Sequence, residues 1–283
     1  MRPPGIAAAA SAFAGVLLLT ACGSDTGATA PEDPDHAGVS PGEAAPNGAG
    51  EGGTGEGGTG EGGAVLSAPE RLIAAAQEGA GRASSFGFNE MGFVSDEVAD
   101  SYRALLQENS LAGEDPEAQV SPASCAQPLA AVDFSPLLLE EAVRADYFAE
   151  SFDGAGSIEL ATLQSPADEQ RVAEHRENVA ELLESCQDTE FTLDGVDYEL
   201  RIQEPTLQDQ DEVSAEQVQD TVAYSWRRSG GDGTTFAQIL FTQVGSDIIM
   251  VSFTGGEAAE SAEFTAIAEA IAAEASAALE TEE

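Results

Sequence analysis

The clearest helical pattern in the chain begins at Ser165-Pro166-Ala167-Asp168. A serine at the N-cap, a proline at the first helical position and an acid at the third are typical of a helix start. Apolar positions then recur on one helical face, and this places Cys186 on the buried side. The face consists of Val172, Val179, Leu182, Leu183 and Cys186. His175 lies at its edge, and we interpret it as a partly buried packing residue rather than a functional base.

Segments of high β-propensity, separated by turn residues, predict strands in hairpins. They cover residues 146–152, 157–163, 190–193, 198–203, 221–228, 235–244 and 247–254. Asp194-Gly195 is a strong hairpin signal between two of them. Residues 153–156 indicate another turn. The two most apolar strands, 235–244 and 247–254, are expected at the centre of the sheet.

Further helices are predicted for residues 69–77, for residues 95–109 with Ser95 as the N-cap, and for the Ala-rich residues 258–279. The apolar face of the last helix must cover the sheet. Ser121-Pro122 is predicted to open one more helix, with Ser121 as its cap. An apolar cluster that forms a short strand or a packed loop consists of Phe86, Phe88, Met91 and Phe93. Hairpins with long helices predict an α+β fold, an antiparallel sheet packed against helices.

The N-terminal apolar run, residues 6–19, is too short for a transmembrane helix and no basic stop signal follows it. It ends in Leu19-Thr20-Ala21-Cys22-Gly23-Ser24, which has the form of a bacterial lipobox. We therefore predict a signal peptide over residues 1–21 and lipidation of Cys22. An ordinary secretory peptide with an incidental cysteine, or a transmembrane anchor, is the alternative. The prediction puts the protein on the cell membrane, lipid-anchored and facing the extracytoplasmic side.

Residues 22–66 comprise the predicted acylated cysteine and a tract of Gly, Ala, Pro, Glu, Asp, Ser and Thr that cannot build an apolar face. A flexible tract of this length has a root-mean-square span of roughly 35–40 Å. It is expected to be a disordered tether. Residues 67–120 are then predicted as an N-terminal helical extension and residues 121–283 as the α+β domain.

The net charge of the chain limits the kinds of molecule that it is expected to bind. The chain has 10 basic and 52 acidic residues, a net charge of −42. Nucleic acid and a flat anionic membrane surface are excluded, because both demand basic patches. The acids are scattered rather than spaced as in a calcium loop, so we interpret them mainly as surface solvation, with binding of cationic partners or weak binding of Ca²⁺ as the alternative. No cofactor and no metal site are expected.

With Cys22 assigned to lipid, Cys125 and Cys186 remain as a pair. In an oxidising compartment an even remainder indicates a disulfide. A zinc site would need more ligands, and neither His36 nor His175 stands at zinc spacing from a cysteine. Neither cysteine has a histidine beside it in sequence to activate it.

Motifs for catalysis are absent from the sequence, which contains neither a Gly-x-Ser-x-Gly elbow nor a phosphate-binding loop. We therefore predict that the protein is not an enzyme. The most distinctive candidates for ligand binding are Trp226, Arg227 and Arg228, with Tyr224 on the same strand face as Trp226. Such arginines could grip an anion. Alternatively, the two rings pack in the core and the two arginines pair with nearby acids.

From Cys125 onward the order of elements resembles the PknH-like extracellular sensor domain of actinobacterial serine/threonine kinases, which also occurs on free-standing lipoproteins. The residues that carry the resemblance are Ser121-Pro122-Ala123-Ser124-Cys125-Ala126, Ile158-Glu159-Leu160-Ala161-Thr162-Leu163, Ser165-Pro166-Ala167-Asp168 and Leu182-Leu183-Glu184-Ser185-Cys186. The resemblance implies an antiparallel sheet with helices, a cleft that receives a ligand, no catalysis, and a Cys125–Cys186 disulfide. Members commonly link their last two strands by a second disulfide, whereas this chain has apolar residues there, around Phe236 and Phe253.

Three functions compete at this point. The first is a membrane-anchored binding or sensing module for an unknown cell-envelope ligand or protein. The second is a display or protein-interaction lipoprotein without a small ligand. The third is a hydrolase that uses carboxylates. The sequence favours the first over the second only through the family resemblance, and it disfavours the third because it lacks a nucleophile, metal or cofactor motif.

Overall fold

The computed structural model describes residues 67–108, 119–193, 195–207, 221–231 and 233–281. Nine strands form one sheet in the order β1-β3-β4-β9-β8-β7-β6-β5-β2, and every pairing between neighbours is antiparallel. The strands are β1 (Glu90–Phe93), β2 (Gln119–Ser121), β3 (Ala142–Phe148), β4 (Gly154–Thr162), β5 (Asp188–Leu193), β6 (Val196–Gln203), β7 (Val222–Gly230), β8 (Gly233–Val244) and β9 (Asp247–Gly255).

Helices cover both faces of the sheet. They are α1 (Ala68–Ser84), α2 (Asp96–Glu108), α3 (Pro166–Ser185) and α4 (Ala262–Thr281). Side chains alternate along a strand, so Leu240 and Phe241 of β8 point to opposite faces. Leu240 belongs to the core beneath α1 and α4, whereas Phe241 contacts His175 of α3. We call these two sides the α1/α4 face and the α3 face.

The core on the α1/α4 face is apolar and rich in rings. Helix α4 contributes the stripe expected from its sequence, including Ile267, Ile271 and Leu279. Phe88, Tyr147 and Phe253 pack edge-on or tilted against one another beneath the helices, with ring centres 5.3–5.7 Å apart. Burial of such side chains contributes roughly 1.5–3 kcal/mol each, so this core supplies much of the stability.

The predicted fold class, an α+β fold with an antiparallel sheet packed against long helices, is confirmed. Helix α3 begins as predicted: the Ser165 hydroxyl accepts a hydrogen bond from the Asp168 amide (3.2 Å), and the Asp168 carboxylate accepts one from the Ser165 amide (3.1 Å). Strands β8 and β9 lie at the centre of the sheet as expected. The predicted β5–β6 hairpin forms, with Gly195 at φ +75°.

The structure corrects two local predictions. Ser121 does not cap an α-helix: it ends strand β2, opposite Glu190 of β5, and a cis peptide bond to Pro122 leads into a short 3₁₀ helix, Ala123–Cys125. A Ser-Pro pair favours α-helical and 3₁₀ turns alike, so these two residues alone could not distinguish an α-helix from the short 3₁₀ helix. Residues 154–156 are not a turn but the start of β4. Gly156 is required there, because a Cβ atom would collide with the ring of Tyr147.

The described residues of the segment predicted as an N-terminal extension, 67–108 and 119–120, contribute both a helix to the core and strands to the sheet. Helix α1 contributes Leu72 to the core, and β1 forms one edge of the sheet. Phe88 is buried, whereas Met91 and Phe93 remain exposed on β1. The predicted signal peptide, Cys22 and the linker lie outside the described residues. Within the described ranges, no helix combines the length and hydropathy needed to cross a membrane.

Candidate functional site

A disulfide links two of the segments that pack on the α3 face. Cys125 and Cys186 are bonded, with their Cα atoms 5.7 Å apart, and both residues are buried. This confirms the predicted pairing. The bond joins the 3₁₀ segment that follows β2 to the end of α3, and the Thr189 hydroxyl donates to the Cys186 carbonyl (3.1 Å). The segment is thereby held against strands β5 and β6.

Tyr224 and Trp226 are buried on the α3 face, as one of the two sequence-based interpretations expected. The Tyr224 hydroxyl donates to the Ala131 carbonyl (3.1 Å), and burial, with a smaller effect of Asp133, raises the pKa of Tyr224 above its ordinary value. Trp226 is 8% exposed, and its indole N–H finds no acceptor within the described part of the chain. The Trp226 N–H is therefore a buried donor without an acceptor among the described residues.

Arg228 lies beside Trp226 on the same face, since the two residues are two positions apart on β7. Its guanidinium carbon is 5.8 Å from the Trp226 ring centre and 5.6 Å from that of Tyr198. Cation–π contacts of this kind stabilise a guanidinium. Among the described residues no carboxylate forms an ion pair with Arg228. Its cross-strand neighbours are the uncharged Leu200 and Thr235.

Tyr198 reaches this position because of a glycine on the neighbouring strand. Gly230 pairs directly with Tyr198, and a Cβ atom at Gly230 would collide with the tyrosine ring. The ring therefore lies over β7, next to Arg228. We call the group formed by Tyr198, Trp226, Arg228 and Thr235 the aromatic–arginine site.

Arg227 does not join this site, because adjacent residues of a strand point to opposite faces. It lies on the α1/α4 face opposite Arg201, and its Nε donates weakly to the Ser229 hydroxyl (3.4 Å). Arg201 in turn pairs with Asp188 (3.2 Å), and strand register places Glu199 on the same face. The two arginines predicted as a pair therefore lie on opposite faces, and the cross-strand neighbours of Arg227 are Arg201 and Phe236.

Sequence reasoning missed Tyr198 and Thr235. Both lie in segments predicted as strands, but their place beside Arg228 depends on the register between strands. Pairing between β6 and β7 joins residues 22 or more positions apart in the chain, and no local pattern encodes it. The alternation that separates Arg227 from Arg228, in contrast, was available from the sequence once residues 221–228 had been predicted as a strand.

A second polar cluster lies deeper, between the sheet and α2. Arg144 donates to Asp146 (2.7 Å) and to Glu159 (2.9 Å), Ser135 donates to Glu159, and the Tyr102 ring covers the guanidinium at 5.3 Å. Burial raises the pKa of Glu159, although Arg144 and Ser135 act in the opposite direction. Burial also raises the pKa of Tyr102, to about 12. The charged groups of the cluster bind one another, so we assign it a structural role.

His175 lies in an aromatic environment. Its ring stacks on Phe134 with centres 4.0 Å apart, and it meets the edge of Phe241 at 5.2 Å. Neither ring nitrogen has a hydrogen-bond partner in the described structure. Burial, helped by the neighbouring charge of Arg176, lowers the pKa of His175 to about 3. His175 is therefore neutral near pH 7 and contacts no hydroxyl that it could activate, in agreement with the packing role predicted from the sequence.

The α3 face also contains a concave space of about 390 Å³ between α3 and the β8–β9 turn. Its walls include Glu169, Val172, Arg176 and Gln243, and neither Trp226 nor Arg228 contributes to them. The volume falls within the range of small-molecule sites. Across the described residues, no three His, Cys, Asp or Glu side chains come together as a set of metal ligands.

The structure resembles two solved structures of low sequence identity. One is the crystal structure of the extracellular domain of PknH from Mycobacterium tuberculosis, with 12% identity over 76% of this chain and 97% of that chain, and a TM-score of 0.41. The other is the X-ray structure of an uncharacterized protein from Mycobacterium smegmatis, with 16% identity over 72% and 96% of the two chains, and a TM-score of 0.40.

The resemblance to the sensor-domain family that the sequence indicates is thus found in the structure as well. At these TM-scores the likeness carries no argument about a ligand, a partner or a site in this chain. The chain matches no family model, and no curated protein matches it.

Proposed function

We propose that this protein is a lipid-anchored, extracytoplasmic binding or sensing module of the cell envelope, without catalytic activity of its own. The observation that carries the proposal is the aromatic–arginine site, where a guanidinium lies between two aromatic rings without an ion pair to any described carboxylate. Such a group can receive a ligand from outside, because no hydrogen bond from its guanidinium to another described residue is found.

The composition of the chain makes this arrangement informative. Acidic residues outnumber basic ones by 52 to 10, so a carboxylate partner is easily available to any arginine. Several arginines have one: Arg71 pairs with Asp247, Arg144 with Glu159 and Arg201 with Asp188. Arg228 has aromatic neighbours instead, and its strand neighbours are uncharged. Stability alone does not require a cation at that position.

Anchoring is the second part of the proposal. Lipidation of Cys22 would hold the chain on the membrane, and two or more acyl chains are needed for stable attachment. The linker would let the folded part reach away from the bilayer. Replacing Cys22 with Ala should move the protein from the membrane fraction to the soluble fraction of cells. Retention in the membrane fraction would contradict lipid anchoring and indicate an uncleaved signal anchor.

Binding can be tested without knowledge of the ligand. A ligand that binds only the native state raises the melting temperature with its concentration. We expect at least one fraction of a cell-envelope extract to raise the melting temperature of residues 23–283 in a dose-dependent way. Uniform failure of all fractions would contradict a small envelope ligand and favour the display or protein-interaction function.

Two variants locate the binding site in the same experiment. Arg228→Gln alters the aromatic–arginine site, and Ala173→Glu alters the separate space beside α3, where Ala173 is exposed. We expect the thermal shift to be lost in Arg228→Gln and kept in Ala173→Glu. The reverse result would assign binding to the space beside α3 and leave the binding function itself intact.

A further inference from the structure

We infer that the aromatic–arginine site takes a small ligand with a single negative charge, a carboxylate joined to a ring or another flat apolar body. The inference rests on the proposed binding function and specifies the ligand class. It draws on three features of the site: the position of the cation, the strip of rings beside it and the charge of the whole molecule.

The cation can accommodate a carboxylate. A guanidinium presents paired N–H donors that match the two oxygens of a carboxylate. Arg228 is partly exposed, so these donors can be reached from solvent. The Thr235 hydroxyl stands directly opposite Arg228 on β8 and offers a further hydrogen bond. No acidic side chain pairs with Arg228 across either neighbouring strand, so an incoming anion meets no carboxylate there.

The rings form a continuous strip from β7 to β5. Trp226 and Tyr198 flank the guanidinium, and Tyr198 stacks on Phe191 of β5 with ring centres 5.2 Å apart and an interplanar angle of 21°. Offset or edge contacts with such rings add about 0.5–1.5 kcal/mol to the burial of an aromatic group. The buried Trp226 N–H, which lacks an acceptor among the described residues, is a further donor within the strip. A flat apolar body therefore fits beside the anionic group.

The negative net charge of the protein favours a ligand that carries only one negative charge. At −42, the protein repels polyanions at long range. The only other arginine adjacent in sequence, Arg227, points to the opposite face and cannot help to neutralise a second charge. A single guanidinium balances a single carboxylate. Phosphate polymers and anionic bilayers, which bring many charges together, are disfavoured for the same reason.

Phenylacetate is a suitable probe, because it joins one carboxylate to one ring. Trp226 is the only tryptophan of the chain, so its fluorescence reports this site directly. We expect residues 23–283 to show a saturable fluorescence change with phenylacetate. Phenylacetamide, which has the same shape without the charge, should bind at least tenfold more weakly. Acetate and inorganic phosphate, which lack the ring, should give no saturable change.

Variants of the two adjacent arginines provide the matched control. Arg228→Gln should weaken phenylacetate binding at least tenfold and Arg228→Lys by less, whereas Arg227→Gln should leave it within twofold of the parent protein. Circular dichroism checks that each variant is folded. Equal binding of phenylacetate and phenylacetamide, an unaffected Arg228→Gln variant, or no saturable signal with phenylacetate would each overturn the ligand class.

The failure of this inference can be distinguished from a failure of the proposed function. A thermal shift from an envelope fraction that persists in Arg228→Gln would keep the binding function and overturn the assignment to this site. Phenylacetate binding without any shift from envelope fractions would keep the chemistry of the site and contradict an envelope ligand.

Discussion

The two faces of the sheet differ in chemistry although they share the same strands. The α1/α4 face is packed with rings such as Phe88 and Phe253 beneath two helices. The α3 face contains His175 and Trp226, whose ring nitrogens lack partners within the described structure, together with the Arg144–Glu159 pair. A buried polar group without a partner costs about 1–3 kcal/mol. The core on the α1/α4 face is thus almost wholly apolar, whereas the α3 face also contains two buried polar groups, on His175 and Trp226, that packing alone does not require.

Arg227 and Arg228 show this difference between the two faces most directly, because they are adjacent in sequence and lie on opposite faces. One step along β7 moves the guanidinium from a place opposite Arg201 on the α1/α4 face to a place beside two aromatic rings on the α3 face. The same side chain can therefore be a surface charge at one position and a ligand contact at the next. The comparison shows that the face of the sheet, rather than the sequence neighbourhood, decides what an arginine can do.

The largest expected effect comes from removing the disulfide, which joins two segments that pack on the α3 face. Closing a loop across a separation of 61 residues contributes about 4 kcal/mol in the chain-entropy account. The double variant Cys125→Ser, Cys186→Ser should lose about this much free energy of unfolding, measured by chemical denaturation. Trp226 fluorescence should change at lower denaturant than far-UV circular dichroism. Coincident transitions would show that both faces unfold as one cooperative unit.

A smaller effect is expected from acid, through His175. Its folded-state pKa of about 3 is lower than the ordinary value of 6.5, so the unfolded chain binds the proton between these values. The contribution of the neutral ring is therefore fully present above pH 6.5 and is lost as the pH falls towards 3, by up to about 1.4 kcal/mol per pH unit. Relative to the parent protein, His175→Leu should gain stability as the pH falls from 6.5 to 4.5. A parallel pH dependence of both proteins would contradict this assignment.

The smallest effect separates the two arginines directly. Arg228→Gln should lower the free energy of unfolding by about 1 kcal/mol, because it removes contacts with two rings. Arg227→Gln should change it by less than about 0.5 kcal/mol, because Arg227 is partly exposed and its hydrogen bond to the Ser229 hydroxyl is long (3.4 Å). Thermal denaturation at equal salt measures both. Equal losses in the two variants would remove the basis for treating the faces differently.

Features encoded by residues close together in the sequence could mostly be predicted, whereas features that depend on the register of distant strands could not. Helix α3 was predictable because Ser165 and Asp168 form a cap within four residues. The disulfide was predictable because only Cys125 and Cys186 remained once Cys22 had been assigned. The prediction of an α-helix after Ser121 is wrong, because a Ser-Pro pair precedes α-helices and short 3₁₀ helices alike. Tyr198 could not be placed beside Arg228, because strand register arises from the whole sheet.

The order of strands also determines how the chain can reach its fold. Strands β7, β8 and β9 form a meander in which each neighbour follows directly in sequence, whereas β4 must find β9 about 90 residues away. Local hairpins close within microseconds, and distant pairings wait for slower loop closure. The pairing between β4 and β9 is therefore expected to form late. A Cβ atom at Gly154 would lie 2.8 Å from the Cα of Gly255, so substitutions at Gly154 should slow refolding more than substitutions in the meander.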